Sequence, residues 1–106
     1  MTDKIVILGT ASSAAEAEAI ARRLVDERLA ACVNVVAGVR SFYRWKGKVE
    51  DSSEWLLVIK SSRSRFEGLR AVLEKVHSYE VPEVIALPVV EGAKNYLHWM
   101  DGELDA

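Results

Sequence analysis

Five side chains of this sequence have the chemistry of metal ligands: His77, Glu80, Glu83, Cys32 and His98. The run from His77 to Glu83 places an imidazole and two carboxylates within seven residues, a donor set that suits Cu(II) or Zn(II). It lacks the spacing of a CxxC pair, an HExxH helix or an acidic calcium loop. A second reading therefore stands beside the ligand one: His77 ends a helix, where an imidazolium interacts well with the carbonyl end. His98 falls in an amphipathic segment near the end of the chain and reads as surface. Cys32 follows Ala30 and Ala31 at the start of an apolar stretch and reads as a small buried residue, with soft-metal binding as its alternative chemistry. A catalytic thiol needs a nearby base and a lowered pKa, and no base is near it in sequence. Gly47-Lys48 lacks the preceding glycine and the following helix of a phosphate loop, so ATP hydrolysis is not expected. Neither enzymatic activity nor an organic cofactor is expected.

The elements that must position these residues belong to a chain of 106 residues, 50% hydrophobic and 28% charged, which predicts one domain spanning residues 1–106. A chain of this length buries about two thirds of its unfolded surface. With one cysteine no intrachain disulfide can form, and a reducing compartment, the cytoplasm, is expected. The start lacks a basic leader and the apolar run Ile5 to Leu8 is too short for a signal or membrane segment, so neither secretion nor membrane spanning is expected. A net charge of -2 lacks the basic excess that a nucleic-acid partner calls for.

Lys4 to Ala11 begins with a β-branched apolar run and reads as a strand buried on both faces. Ser13 with Glu16 makes a capping box, and Ala17, Ile20, Ala21, Leu24 and Val25 follow at helical spacing for about 16 residues. Ala31 to Trp45 alternates with period two, and Val49 to Lys60 ends in the apolar Trp55 to Ile59, so the two form a hairpin around Lys46-Gly47-Lys48. A two-residue loop would set Val39 opposite Glu54 and Trp55 opposite Gly38. A three-residue loop sets Val35 opposite Ile59, Val39 opposite Trp55, Arg40 opposite Glu54 and Arg44 opposite Glu50, and is preferred because apolar then meets apolar and charges meet opposites. A bulge near Ala37-Gly38 would break that parity. Ser64 with Glu67 forms a second box before the stripe Phe66, Leu69, Val72, Leu73, Val76, which stops near His77-Ser78. Val84 to Leu87 gives a fourth strand, and Asn95 to Asp101 a short helix. The order is the split βαβ arrangement of ferredoxin-like folds, βαββαβ with a helix appended, class α+β.

The hairpin carries a further implication. A strand of fifteen residues is about 50 Å long, against a radius of gyration of about 13 Å for a compact domain of this size. It must project or bend. Its far half holds Phe42, Tyr43, Trp45 and Val49, an aromatic ribbon that another subunit is expected to cover. The alternative is a hairpin curled onto its own core.

Four ordered stretches, Ala30-Ala31-Cys32-Val33-Asn34, Ser41-Phe42-Tyr43-Arg44-Trp45-Lys46-Gly47-Lys48, His77-Ser78-Tyr79-Glu80-Val81-Pro82-Glu83 and Ala86-Leu87-Pro88, together resemble the CutA divalent-cation tolerance family over nearly the whole chain. Tyr96 and Trp99 add to the match. The resemblance implies a ferredoxin-like subunit in a homotrimer whose hairpins wrap neighbouring subunits, similar in architecture to the PII signalling proteins. It also implies binding of Cu(II) or similar divalent metal ions and a part in the response to them. Most members resembling this pattern have proline where Ser78 stands. Some members implicated in copper binding carry a cysteine and a second histidine at the positions of Gly9 and Val76, which leaves His77 as the donor at that locus, with Cys32 as the other metal candidate. The resemblance further places Tyr43, Trp45, Lys60, Tyr79, Glu80 and Glu83 around clefts between subunits. Aromatic walls with a few charges describe a small-molecule pocket; the same residues also describe interface packing, with Lys60 and a glutamate as an ion pair. The alternative function is then a PII-like regulatory module that binds a small molecule in those clefts.

Overall fold

A computed structural model describes residues 2–105. Its elements are β1 (Lys4–Ala11), α1 (Ala14–Asp26), β2 (Cys32–Trp45), β3 (Lys48–Ser62), a 3-10 turn (Arg63–Arg65), α2 (Phe66–Val76), β4 (Ile85–Pro88) and α3 (Lys94–Leu104). The strands form one antiparallel sheet in the order β2-β3-β1-β4, the ferredoxin-like α+β arrangement that the element order predicts, with α3 appended.

β1 is central, between β3 and β4, and its residues are buried or half-buried throughout. Alternation sends Ile5, Ile7 and Ala11 to one face, where they meet Leu57 and Ile59 of β3, Ala17, Ile20 and Leu24 of α1, and Leu69 and Leu73 of α2. The opposite face carries Val6, Leu8, Leu56 and Val58, extended by Val36, Ile85 and Leu87 through the pairs Val36 with Leu56, Leu8 with Ile85 and Val6 with Leu87. Among the described residues no helix covers the middle of this face, and Val36, Ile85 and Leu87 are 44%, 53% and 50% exposed. At its Lys4 end, α3 packs Met100 and Leu104 against Ala31. The buried Lys4 ammonium, held by Asp3 at 2.6 Å and Asp101 at 2.5 Å, ties α3 to the sheet.

The hairpin register differs from the three-residue expectation. Val39 faces Glu54, Arg40 faces Ser53, Arg44 faces Val49, and Val35 faces Leu57. The loop has two residues, Lys46 at φ 50° and Gly47 at φ 83°, because a turn with both central residues at positive φ matches the right-handed twist of the strands. Backbone twist outweighs the cross-strand charge pairs, each worth under about 1 kcal/mol. Arg40 instead grips Asp51 with two hydrogen bonds of 2.9 and 2.7 Å. The register then shifts between Val36 and Val39, with Gly38 at φ 81°, which is the anticipated bulge. Beyond the shift, Val39, Ser41, Tyr43 and Trp45 lie on the open face of the sheet, beside Glu54.

The hairpin projects: the molecule measures 44 × 25 × 23 Å with a radius of gyration of 14.3 Å. Phe42 and Val49 are about two thirds exposed, so the ribbon does not curl onto its own core. Other boundaries move slightly. α1 is 13 residues long rather than 16, closed where Leu29 and Ala30 both donate to the Leu24 carbonyl. The Ser13 cap forms, accepting from the Glu16 N–H at 3.1 Å. The expected Ser64 box does not, since the 3-10 turn carries the chain into α2 and Glu67 pairs with Arg70 at 3.0 Å instead. α3 is longer than the expected Asn95 to Asp101.

Candidate functional site

A cleft of about 640 Å³ opens where the end of β1, the far half of the hairpin and the segment joining α2 to β4 come together. Thr10 and Glu54 lie at the sheet, Phe42, Tyr43 and Trp45 along the ribbon, and Tyr79, Glu80 and Glu83 on the connecting segment. Glu54 is 5% exposed, and its Oε2 accepts the Tyr79 hydroxyl at 2.5 Å. Burial and the facing Glu54 carboxylate push the Tyr79 phenol far above its ordinary range, because ionising it would place two negative charges in contact. The Tyr43 hydroxyl and the Ser52 hydroxyl share a hydrogen bond of 3.0 Å. At the mouth, the Lys46 ammonium is 5.7 Å from the Trp45 ring centroid and 3.9 Å from the Glu80 carboxylate.

Tyr79 is aimed into this cleft by a sealed network behind it. His77 ends α2, its backbone N–H donating to the Leu73 carbonyl at 3.0 Å, but its ring, which the helix-ending reading sets against the helix carbonyls, bonds elsewhere. Its side chain is fully buried. The Tyr79 N–H donates to Nδ1 at 3.0 Å, which fixes the proton on Nε2, and Nε2–H donates to the Thr10 carbonyl at 2.6 Å. The rings of His77 and Tyr79 sit 4.6 Å apart. Next to them the Ser78 N–H donates to Glu16 at 2.8 Å, and the same carboxylate accepts the Ser12 N–H and hydroxyl at 3.0 Å each. Burial works against the Glu16 charge, but these donors outweigh it and lower its pKa to about 2.

Among the expected site residues the structure thus gathers Tyr43, Trp45, Tyr79, Glu80 and Glu83 in one cleft. Lys60 is on the same face of the sheet but six residues along β3, about 20 Å away, where its ammonium bonds the Asn34 side-chain carbonyl. Cys32 is partly buried opposite Lys60, and burial together with the Cys32 thiol raises the pKa of the Tyr96 phenol. His98 is exposed on α3. His77 stands behind Tyr79 with both ring nitrogens engaged, so a metal ion at His77 must displace one of two backbone partners. Among the described residues no three His, Cys, Asp or Glu side chains are grouped as a metal site. Gly9 has its own structural reason: a Cβ there would lie 3.0 Å from the Glu83 carbonyl oxygen, so the segment carrying Glu83 closes down on β1 through the missing side chain.

Glu54, Thr10 and Glu16 are the functional candidates that sequence reasoning missed. The three-residue loop spent Glu54 on Arg40. The two-residue loop puts Glu54 on the face of Ser41, Tyr43 and Trp45, and that signal was readable from Gly47.

The family model described as CutA1 divalent ion tolerance protein matches residues 5–103. The chain is 46% identical to the divalent-cation tolerance protein CutA of Thermus thermophilus over 95 residues, 90% of this chain and 92% of that protein. It is 51% identical to the protein CutA of Mus musculus over 79% of this chain, and spans about half, 48%, of that longer relative. The crystal structure of CutA from Xylella fastidiosa superposes with a TM-score of 0.95 at 40% identity, covering 98% of this chain and 100% of that one.

Proposed function

Because the chain belongs to the CutA1 divalent ion tolerance family, we propose that it acts as a homotrimer in the cytoplasmic response to divalent metal ions, with Cu(II) the first-row ion it binds most tightly. The observation that carries the assembly is the uncovered apolar face of the sheet, Val36, Ile85 and Leu87, continuous with the projecting ribbon. Such a face with two free edges is what a second and third copy bury. Light scattering after size exclusion is expected to give three times 11.8 kDa; a monomer at micromolar concentration refutes it.

The metal reading rests on the family and on His77. An imidazole favours Cu(II) over the earlier divalent ions of the first row, and protons compete for the same nitrogen. At His77 the metal also competes with the Tyr79 N–H for Nδ1 or with the Thr10 carbonyl's hold on Nε2–H. Binding is therefore weak and acid-labile. Calorimetric copper titration at about pH 7.5 and about pH 5.5, on wild type and His77→Gln, checks this: binding lost in the variant and weakened by acid supports the site, and unchanged binding in the variant moves it to Cys32 or His98.

A second reading is favoured by the cleft itself. Its volume lies inside the range of small-molecule sites, about 300–1,000 Å³, and its aromatic walls surround a few polar groups. In this reading the trimer is a PII-like regulatory module that senses a small molecule. Saturable heat with metabolites but not with metal ions selects it.

A further inference from the structure

The floor of the cleft holds a carboxylate that, among the described residues, no cation of the same subunit neutralises. Glu54 is 95% buried by its 5% exposure, and its one side-chain partner among the described residues is the Tyr79 hydroxyl. None of the residues that one subunit gives to the lining of the cleft is basic. Among the described residues no buried side-chain polar atom is both sealed and unpaired, so the second oxygen, Oε1, keeps access to the cleft that Glu54 lines. A carboxylate withdrawn from water without a counter-ion is costly, and a cation entering the cleft removes that cost.

The walls point to the same kind of ligand. Glu80 and Glu83 add negative charge, while Tyr43, Trp45 and Tyr79 offer aromatic faces. A cation of this chain already occupies one of those faces at the rim: Lys46 lies 5.7 Å over Trp45. The Lys46 pair with Glu80 is 74% and 70% exposed, and an exposed pair of this kind is weak and readily displaced. The carboxylates are not gathered as a metal site, so they suit a larger ion with diffuse charge better than a metal ion. We propose that the cleft binds a small organic cation, an alkylammonium or guanidinium, with its charge against Glu54 and its carbon body on Trp45 and Tyr43. This rests on the small-molecule reading of the cleft and names the ligand class.

The test titrates the full chain, in the presence of a chelator, with phenethylammonium, its neutral isostere 2-phenylethanol and the anionic phenylacetate, by calorimetry, with light scattering on the same samples. Phenethylammonium is expected to saturate, and 2-phenylethanol and the Glu54→Gln variant to bind at least about tenfold more weakly. Trp45→Leu, a change at an exposed side chain, is expected to weaken binding several-fold and decides the matter if Glu54→Gln fails to fold. Equal affinity for amine and alcohol, unchanged affinity in either variant, or no saturation by about 10 mM amine, which is weaker than any specific site here would be, overturns the proposal. Binding of phenylacetate alone overturns the cationic class and keeps the small-molecule reading; binding of no probe by an intact trimer removes both and leaves the assembly. Cation binding by a monomer upholds the proposal and removes the trimer.

Discussion

Glu16 and Glu54 flank the same turn and are both largely buried, yet their surroundings are opposite. Glu16 accepts three hydrogen bonds, from the Ser12 N–H and hydroxyl and from the Ser78 N–H. Glu54 accepts one, from Tyr79. Between them His77 has both nitrogens engaged. The sealed side acts as a frame that sets the direction of Tyr79. The open side carries exposed aromatic rings and an unmatched charge, which is where a ligand gains free energy by arriving. A catalogue of residue types names His77 first, on the sealed side of Tyr79, and passes over Glu54 on the open side.

The sharpest way to break this contrast is His77→Ala. It strands the Thr10 carbonyl and the Tyr79 N–H and leaves a ring-sized void, so urea unfolding is expected to show a loss on the order of 3 kcal/mol. Glu16→Gln comes next, at about 2 kcal/mol near neutral pH, since its pKa is held at about 2 instead of the ordinary 4.5. A carboxyl whose folded pKa is depressed contributes stability that is complete above its unfolded pKa and is lost as pH falls through the folded one. Wild type is therefore expected to weaken between pH 4.5 and about 2 more steeply than Glu16→Gln, by chemical denaturation across that window; equal slopes would show that Glu16 is not the linked group.

Ser78→Pro tests the turn itself and sharpens the comparison further. His77 has φ -78° and ψ 144°, the extended geometry that a following proline requires, but the ring takes the place of the N–H aimed at Glu16 2.8 Å away, so the carboxylate must turn aside. The fixed φ stabilises by about 0.4–1 kcal/mol, while the lost N–H bond to the Glu16 charge costs about 1.5–3 kcal/mol. A net loss of about 1 kcal/mol is expected in thermal or urea unfolding, and a more stable variant would mean that Ser78 gives Glu16 little. Glu54→Gln is expected to change stability least, within about 0.5 kcal/mol or slightly upward, because it removes an uncompensated charge and keeps the acceptor for Tyr79. A loss as large as that of Glu16→Gln would show that Glu54 is structural.

The sheet and its helices were legible because their signals are local. Ile5 to Leu8 form a continuous apolar run with β-branched Ile5, Val6 and Ile7, and Ile20 with Leu24 and Leu69 with Leu73 each mark one buried stripe. The hairpin was legible as an element and misread in register, since charge pairing was weighed above the positive φ that Gly47 supplies and Lys46 accepts. The aromatic wall came from the resemblance, and five of its six residues converge; Lys60 does not, because six strand residues separate it from Glu54 within one subunit. Nothing near His77 announces that the Thr10 carbonyl, 67 positions away, fixes its proton. Contacts of that separation are products of the fold and leave no periodicity to read.

The bulge between Val36 and Val39 sets the direction of the ribbon, not the face of its rings. Ala37 and Gly38 together stand opposite Trp55 alone. A one-codon deletion there restores a regular ladder and leaves Tyr43 and Trp45 on the face of Glu54, because the two-residue turn still fixes the distal pairing. What the deletion removes is the bend and extra twist of a bulged strand, so the length of β2 governs the angle at which the ribbon leaves its own domain and meets a neighbouring subunit.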